Sequence, residues 1–183
     1  FISPDECQRF IDLSLANKGK EMPYGDETRG GDTFLTSVTH SNPNESLSKG
    51  IEWKDHTAVY HGGDVDPTTP PLDYDVVTRV NSICKSFDST ANLDYVGVIR
   101  WPVGTFMKPH FDDNNVHNPD IFAAMLYLNN NFSGGYTCFE DFEVKPEPGK
   151  LIIFSNSQYL HYVSKVEGDE RFVLSFWYNS LNK

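Results

Sequence analysis

From Asp94 onward the chain is cut into short apolar runs, each only a few residues long and each closed by Gly, Pro or Asn. Runs this short are poor helices, because a helix needs several turns to offset the cost of nucleation. They suit strands, and many short strands at regular turn spacing bury their apolar faces as two packed sheets. The runs fall near 94–101, 106–111, 121–128, 136–140, 142–145, 150–154, 159–166 and 171–178. The reading is a mainly β chain with flanking helices, its core a double-sheet jelly roll. The 13 Phe and 9 Tyr agree, since aromatic side chains suit a pleated, half-buried surface.

The N-terminal half reads differently. Ser3-Pro4-Asp5-Glu6 carries a capping box and a proline at the first helical position, and Cys7, Phe10, Ile11 and Leu15 follow at helical spacing as far as Asn17-Lys18-Gly19. Residues 19–32 are polar and Gly-rich and are expected as loop; Thr33 to Thr39 alternates as a strand. Leu72, Val76, Val77, Val80, Ile83, Cys84 and Phe87 mark a second helix. Residues 40–71 show no period and hold the Pro-rich stretch Asp66-Pro67-Thr68-Thr69-Pro70-Pro71, and residues 55–71 are expected to act as a mobile lid. At 183 residues the chain is expected as one domain, with an N-terminal helical layer over 1–91 and a jelly-roll core over 92–180.

A net charge of −11 with no Lys/Arg cluster disfavours nucleic acid as a partner, because a phosphate backbone would be repelled. The ordinary effect of such a charge is solubility, and it would also favour a cationic substrate. Cys7, Cys84 and Cys138 are far apart in apolar settings, so they read as core filler in a reducing, cytoplasmic compartment. No apolar run reaches the roughly 20 residues needed to span a bilayer, so no membrane partner is expected. The chain starts at Phe1 rather than at an initiator Met, which is the expectation for a trimmed fragment.

Chemistry concentrates in His110-Phe111-Asp112. On a strand, residues i and i+2 share a face, so this imidazole and carboxylate converge on one point. The H-x-D pattern alone is weak. His161 strengthens it, because a jelly roll returns the penultimate strand beside the first pair, completing two histidines and a carboxylate that leave metal positions open. Arg171 strengthens it further. It opens a last strand rich in Phe172, Val173, Leu174, Phe176 and Trp177, where a lone cation is costly unless an anion, such as a dicarboxylate ligand, pairs with it. Ser133-Gly134-Gly135 and Pro148-Gly149-Lys150 supply tight turns between the intervening strands.

These residues, together with Leu126-Tyr127-Leu128-Asn129, Gly134-Gly135-Tyr136-Thr137-Cys138-Phe139 and Val144-Lys145-Pro146, resemble the prolyl hydroxylase-like 2-oxoglutarate/Fe(II) dioxygenases. The resemblance covers roughly 94–178, with a looser match at Ile2 to Cys7, and implies a double-stranded β-helix (jelly roll), which agrees with the strand reading above. It implies that His110, Asp112 and His161 hold Fe(II), and that Arg171 binds the distal carboxylate of 2-oxoglutarate, helped by Tyr127 and Ser175, with Trp101 nearby. It implies O2 as oxidant, ascorbate as reductant, and hydroxylation of a prolyl residue in a peptide or protein as 2-oxoglutarate becomes succinate. Asp112 favours hydroxylation, because related halogenases lack this carboxylate. Trp101 stands where relatives often carry Tyr, Asp120 where they commonly carry Arg, and Tyr136 where Glu is frequent.

Two other functions compete. One is hydroxylation of a free amino acid or other small molecule; the other is a catalytically silent jelly-roll binding module, in which Arg171 would lack a partner. His40, His56, His61 and His117 sit in polar, loop-like surroundings and read as surface residues, although His117 is close enough in sequence to line an entrance. The expected substrate is a neutral or cationic extended segment lying beside Trp101, Asp113 and Asp120.

Overall fold

A computed structural model describes residues 1–19, 21–24, 28–38, 51–54, 57–60, 74–112, 120–155 and 157–180. The first helix, α1 (Pro4–Ala16), starts as its sequence requires. Ser3 Oγ accepts from the Glu6 N–H at 3.2 Å, while the Glu6 carboxylate accepts from the Ser3 N–H at 2.6 Å. The strands β1 (Met22–Tyr24), β2 (Arg29–Gly30), β3 (Thr33–Ser37), β4 (Ile51–Lys54) and β5 (Thr57–Tyr60) precede the second helix, α2 (Tyr74–Phe87). Then come β6 (Ala91–Trp101), β7 (Phe106–His110), β8 (Asp120–Tyr127), β9 (Ser133–Gly134), β10 (Thr137–Phe139), β11 (Glu143–Val144), β12 (Leu151–Phe154), β13 (His161–Val163), β14 (Val166–Glu167) and β15 (Arg171–Ser180).

A six-stranded major sheet runs β1-β3-β6-β15-β8-β12, and a five-stranded minor sheet runs β11-β10-β13-β7-β2. All pairings within them are antiparallel. This is the expected jelly roll. The period of two along β15 explains how it works. Phe172, Leu174, Phe176 and Tyr178 face α1 and α2 and pack with Cys7, Phe10, Val76, Val77 and Val80. Burying each large apolar side chain there contributes about 1.5–3 kcal/mol. The alternate residues Arg171, Val173, Ser175 and Trp177 face the minor sheet and line a pocket. One strand therefore carries a hydrophobic face and a functional face.

The structure departs from the sequence reading in three places. Residues 19–32, expected as loop, contain β1 and β2, edge strands too short to show a period. With β3, β1 also extends the major sheet with residues from ahead of position 92. The single strand expected over 159–166 is divided into β13 and β14, because β14 turns away to pair with β9, where Val166 opposes Gly134. Gly134 has φ +64°, and a Cβ on it would stand 1.9 Å from the Lys165 carbonyl oxygen, so the pairing needs glycine. Within the stretch read as irregular, β4 and β5 form a hairpin with Ile51 opposite Tyr60. The rest of the expected lid, 55–56 and 61–71, lies outside the described residues. No helix among the described residues is long and apolar enough to cross a membrane.

Candidate active site

His110 ends β7 and His161 begins β13, and the two are direct partners across the minor sheet. Their rings stand 4.3 Å apart at 50°. Each Nδ1 contacts a backbone carbonyl two residues back, His110 to Lys108 at 2.8 Å and His161 to Tyr159 at 3.0 Å. A carbonyl only accepts, so both Nδ1 atoms carry the proton and both Nε2 atoms offer a lone pair. Asp112, two residues past His110, brings Oδ1 to 3.1 Å from His110 Nε2 and Oδ2 to 3.6 Å from His161 Nε2. His110 Nε2 is buried and has no hydrogen-bond partner. The three ligand atoms lie within 4.8 Å of one another. Two neutral imidazoles and a carboxylate aimed at one point fit a divalent transition metal.

The titrations of the histidines separate. Burial pushes His161 below the ordinary range despite the Asp112 charge. For His110 burial acts in the same direction, but Asp112 and the Lys108 carbonyl outweigh it and its pKa is raised.

Arg171 lies at one end of the same pocket and is wholly buried. Its Nε and Nη1 have no partner, and Nη2 makes only 3.5 Å contacts to Met125 Sδ and Thr137 Oγ1. Among the described residues no carboxylate pairs with it. Burial pulls its pKa down to about 10. Arg100, one step away on the neighbouring strand, is the opposite case, paired with Glu21 at 2.6 Å and Glu170 at 2.7 Å. The fold thus neutralises one buried guanidinium internally and leaves the other facing a pocket that also contains Asp112 and His161. The indole Nε1 of Trp101, whose ring centre is 5.0 Å from the Arg171 guanidinium, is likewise buried without a partner. Buried donors are normally hydrogen-bonded, and an anion in this pocket would supply the acceptors that these lack.

Residues 96–179 match the family described as the 2OG-Fe(II) oxygenase superfamily. They form a 2OG-Fe(II) oxygenase domain. Solved structures similar to the chain include a Pseudomonas putida prolyl-4-hydroxylase, 16% identical, with a TM-score of 0.70 over 98% of this chain and 89% of that one. The viral collagen prolyl hydroxylase of Paramecium bursaria Chlorella virus-1, solved with 2OG, is also 16% identical, with a TM-score of 0.64 over 98% and 92%. A Trichoplax adhaerens prolyl hydroxylase, in complex with a hypoxia inducible factor oxygen degradation domain peptide fragment, is 15% identical, with a TM-score of 0.68 over 98% and 80%. Curated proteins give no sequence match.

In this oxygenase domain the residues named from sequence fall into two positions. Asp112, His161, Arg171, Ser175 and Trp101 line the pocket. Tyr127 stands behind it, donating its hydroxyl to Thr137 Oγ1 at 2.6 Å. Thr137, which does line the pocket, stood in a quoted motif without a role, and Arg29 went unnoticed. Sheet register explains both. Thr137 opposes Val163, Val163 opposes Met107, and Met107 opposes Arg29, so one row crosses the minor sheet and faces Arg171 and Trp101. Arg29 lies 4.7 Å over the Trp101 ring and donates to Thr33 Oγ1. Only the Gly30-Gly31 pair beside Arg29 hinted at a close backbone approach. His40, His56, His61, Asp113 and His117 lie outside the described residues, as does the side chain of Asp120.

Proposed function

We propose that this domain hydroxylates a prolyl residue in a peptide or protein, with His110 Nε2, His161 Nε2 and an Asp112 oxygen holding Fe(II) and Arg171 holding 2-oxoglutarate. The observation that carries the reading is the wholly buried Arg171 guanidinium, with no carboxylate partner among the described residues, in the pocket of the His/Asp cluster. When bound, the iron and its co-substrate supply an oxidant made from O2, with succinate and carbon dioxide as the other products.

The protein's part is positioning. Arg171 takes the distal carboxylate in a charge-assisted, two-pronged hydrogen bond. Thr137 Oγ1 accepts from Tyr127, so its own proton is free to point at the same carboxylate, and Tyr127 acts as a positioning residue through Thr137. Trp101 Nε1 and Ser175 offer further donors in the same wall. Ile99, Met107, Met125, Val163 and Val173 keep the pocket apolar and exclude water around the reacting atoms. Asp112 and the two anchored imidazoles would hold the metal from one side and leave positions on it for the co-substrate and O2.

A second reading, hydroxylation of a free amino acid or other small molecule, is favoured by Arg29, a second cation in the pocket wall able to take an α-carboxylate. In either case residues 1–183 act as one domain. The free, buried Cys7, Cys84 and Cys138 suit a reducing, cytoplasmic setting. The test is incubation with Fe(II), ascorbate, O2 and 2-oxoglutarate over a panel of proline peptides and free amino acids. Gain of one oxygen atom by proline peptides, in step with succinate, supports the first reading. Oxidation of free amino acids alone selects the second, and no 2-oxoglutarate turnover with any substrate discards both.

A further inference from the structure

Large apolar side chains are exposed around the mouth of the site. Phe111 lies between His110 and Asp112 and is 39% exposed; Tyr159 and Leu160 lead directly into His161 and are 52% and 37% exposed. Phe142, at the turn between β10 and β11, is 57% exposed. These rings connect physically to the site. His161 opposes Phe139 across the minor sheet, with ring centres 6.4 Å apart, and Phe139 stacks on Phe142 at 4.7 Å. Tyr159 meets Phe139 edge-on at 6.3 Å, and Phe154 meets His161 at 4.9 Å. An aromatic path therefore runs from a buried histidine of the site to an exposed hairpin tip. A folded chain exposes grouped aromatics of this kind where something covers them.

The same tip has a charge. Glu140, Asp141 and Glu143 are all exposed around Phe142, and none of them is ion-paired among the described residues. Lys145, the nearest cation in sequence, lies instead over the Tyr136 ring at 5.5 Å. An occupant must therefore be apolar where it meets Phe142 and Tyr159, and positive where it meets the three carboxylates.

We propose that the β10–β11 tip, with Tyr159 and Leu160 beside it, is a docking surface for the substrate chain, selecting an apolar residue and a neighbouring Lys or Arg. The two ring steps of 6.4 and 4.7 Å from His161 to Phe142 correspond to about three residues of extended peptide, at roughly 3.3 Å each. A residue seated on Phe142 therefore lies within about three positions of the one beside His161, with the basic residue next to it. This inference rests on the peptide reading of the site and adds what that peptide must carry.

The test uses the full chain with redox-silent Mn(II) and 2-oxoglutarate, and fluorescein-labelled proline peptides read by anisotropy. The peptides carry Phe and either Lys or Glu about three positions from the proline, on either side. Three exposed carboxylates, each contributing modestly, should make the Lys peptide bind roughly tenfold tighter at low salt, with the ratio shrinking at high salt. The E140Q/D141N/E143Q variant should bring the ratio close to one. The F142A/Y159A variant should weaken both peptides while preserving the ratio. Equal affinity for Lys and Glu peptides, a ratio unchanged in the charge variant, or no peptide binding would overturn the docking surface. Failure of the underlying site is read separately, as absent binding of 2-oxoglutarate to the Mn(II) protein in calorimetry. Selective binding of Lys peptides without their oxidation under Fe(II) keeps the docking surface and removes the prolyl chemistry.

Discussion

Arg171→Met removes the guanidinium while keeping side-chain length, and its consequences for stability and for binding have opposite signs. In the ligand-free protein the charge is wholly buried, two of its nitrogens are unbonded, and its only polar contacts are 3.5 Å long. Replacing buried charges by apolar side chains of similar volume commonly stabilises by about 1–4 kcal/mol. The rings of Trp101 and Tyr127, 5.0 and 5.6 Å from the guanidinium, offset part of that, at about 0.5–2 kcal/mol each. The two unbonded nitrogens of a buried, unpaired charge cost roughly a further 1–3 kcal/mol, so burial wins, leaving about 1–2 kcal/mol in favour of Met. At about 2–4 °C per kcal/mol for a chain of this size, the ligand-free variant should melt roughly 2–8 °C higher than wild type. With Mn(II) and 2-oxoglutarate at about a hundred times its dissociation constant, the wild type gains about 2.7 kcal/mol and the variant gains nothing from 2-oxoglutarate, so the order reverses. Scanning calorimetry with and without 2-oxoglutarate reads both effects. A variant that melts below wild type without ligand, or that responds equally to 2-oxoglutarate, refutes the assignment of Arg171 as an anchor awaiting its anion.

His110→Ala, Asp112→Ala and His161→Ala should each weaken Mn(II) binding by more than the 10–100-fold that outer partners of a metal site cost, with the circular dichroism spectrum retained; wild-type metal affinity in any one of them removes that residue from the set. Metal binding takes both Nε2 atoms unprotonated, and His110 holds its proton above the ordinary histidine range. Affinity should therefore be full above that raised pKa and fall as pH drops through it, by about tenfold per unit; a flat Mn(II) titration from about pH 5 to 8 contradicts this. Gly135 has φ +61°, and a Cβ there would stand 2.9 Å from Arg171 Cδ. Gly135→Ala should thus lose about 1–2 kcal/mol from the left-handed backbone and also raise the 2-oxoglutarate dissociation constant, whereas Gly104→Ala, with φ +92° and nothing within 4 Å, should lose stability alone. Calorimetry on the two variants separates the effects, and equal 2-oxoglutarate affinity in both counts against contact through Arg171.

The sequence was most legible where local rules and tertiary demands coincide. The Ser3–Glu6 box and the apolar spacing after it placed α1 within a residue or so, and the turn-bounded runs after Asp94 located the strands of the jelly roll. His110 and Asp112 were readable from their i, i+2 spacing, although β7 ends at His110 and Asp112 reaches the site from the bend just beyond it, and His161 because the fold returns β13 beside β7. What stayed hidden depends on register rather than pattern. Thr137 and Arg29 reach the pocket because a row of cross-strand partners carries them there, and no period in the sequence marks either one. Tyr127 shows the converse: its motif pointed to the co-substrate, while the register of β8 sets it behind Thr137, whose hydroxyl it holds. The edge strands β1 and β2 are made by pairing alone, since two or three residues cannot display a period.

The place of β15 in the major sheet bears on how the chain is made. It is the last described strand, yet it lies in the interior of the sheet, bonded along most of its length to β6 on one side and β8 on the other. As the polypeptide leaves the ribosome, β6 and β8 emerge with the edges that will later flank β15 still open, until Arg171, Ser175 and the apolar face of Phe172 to Tyr178 follow. Two unpaired strand edges during synthesis are a template for pairing with other chains. Long-range closure of this kind is also slow, because the chain between the partners must lose its freedom before the contact forms. The proposed anchor for the co-substrate is thus installed by the same late event that seals the sheet, so a nascent chain shortened before Arg171 would present the His110–Asp112 pair on an unfinished scaffold.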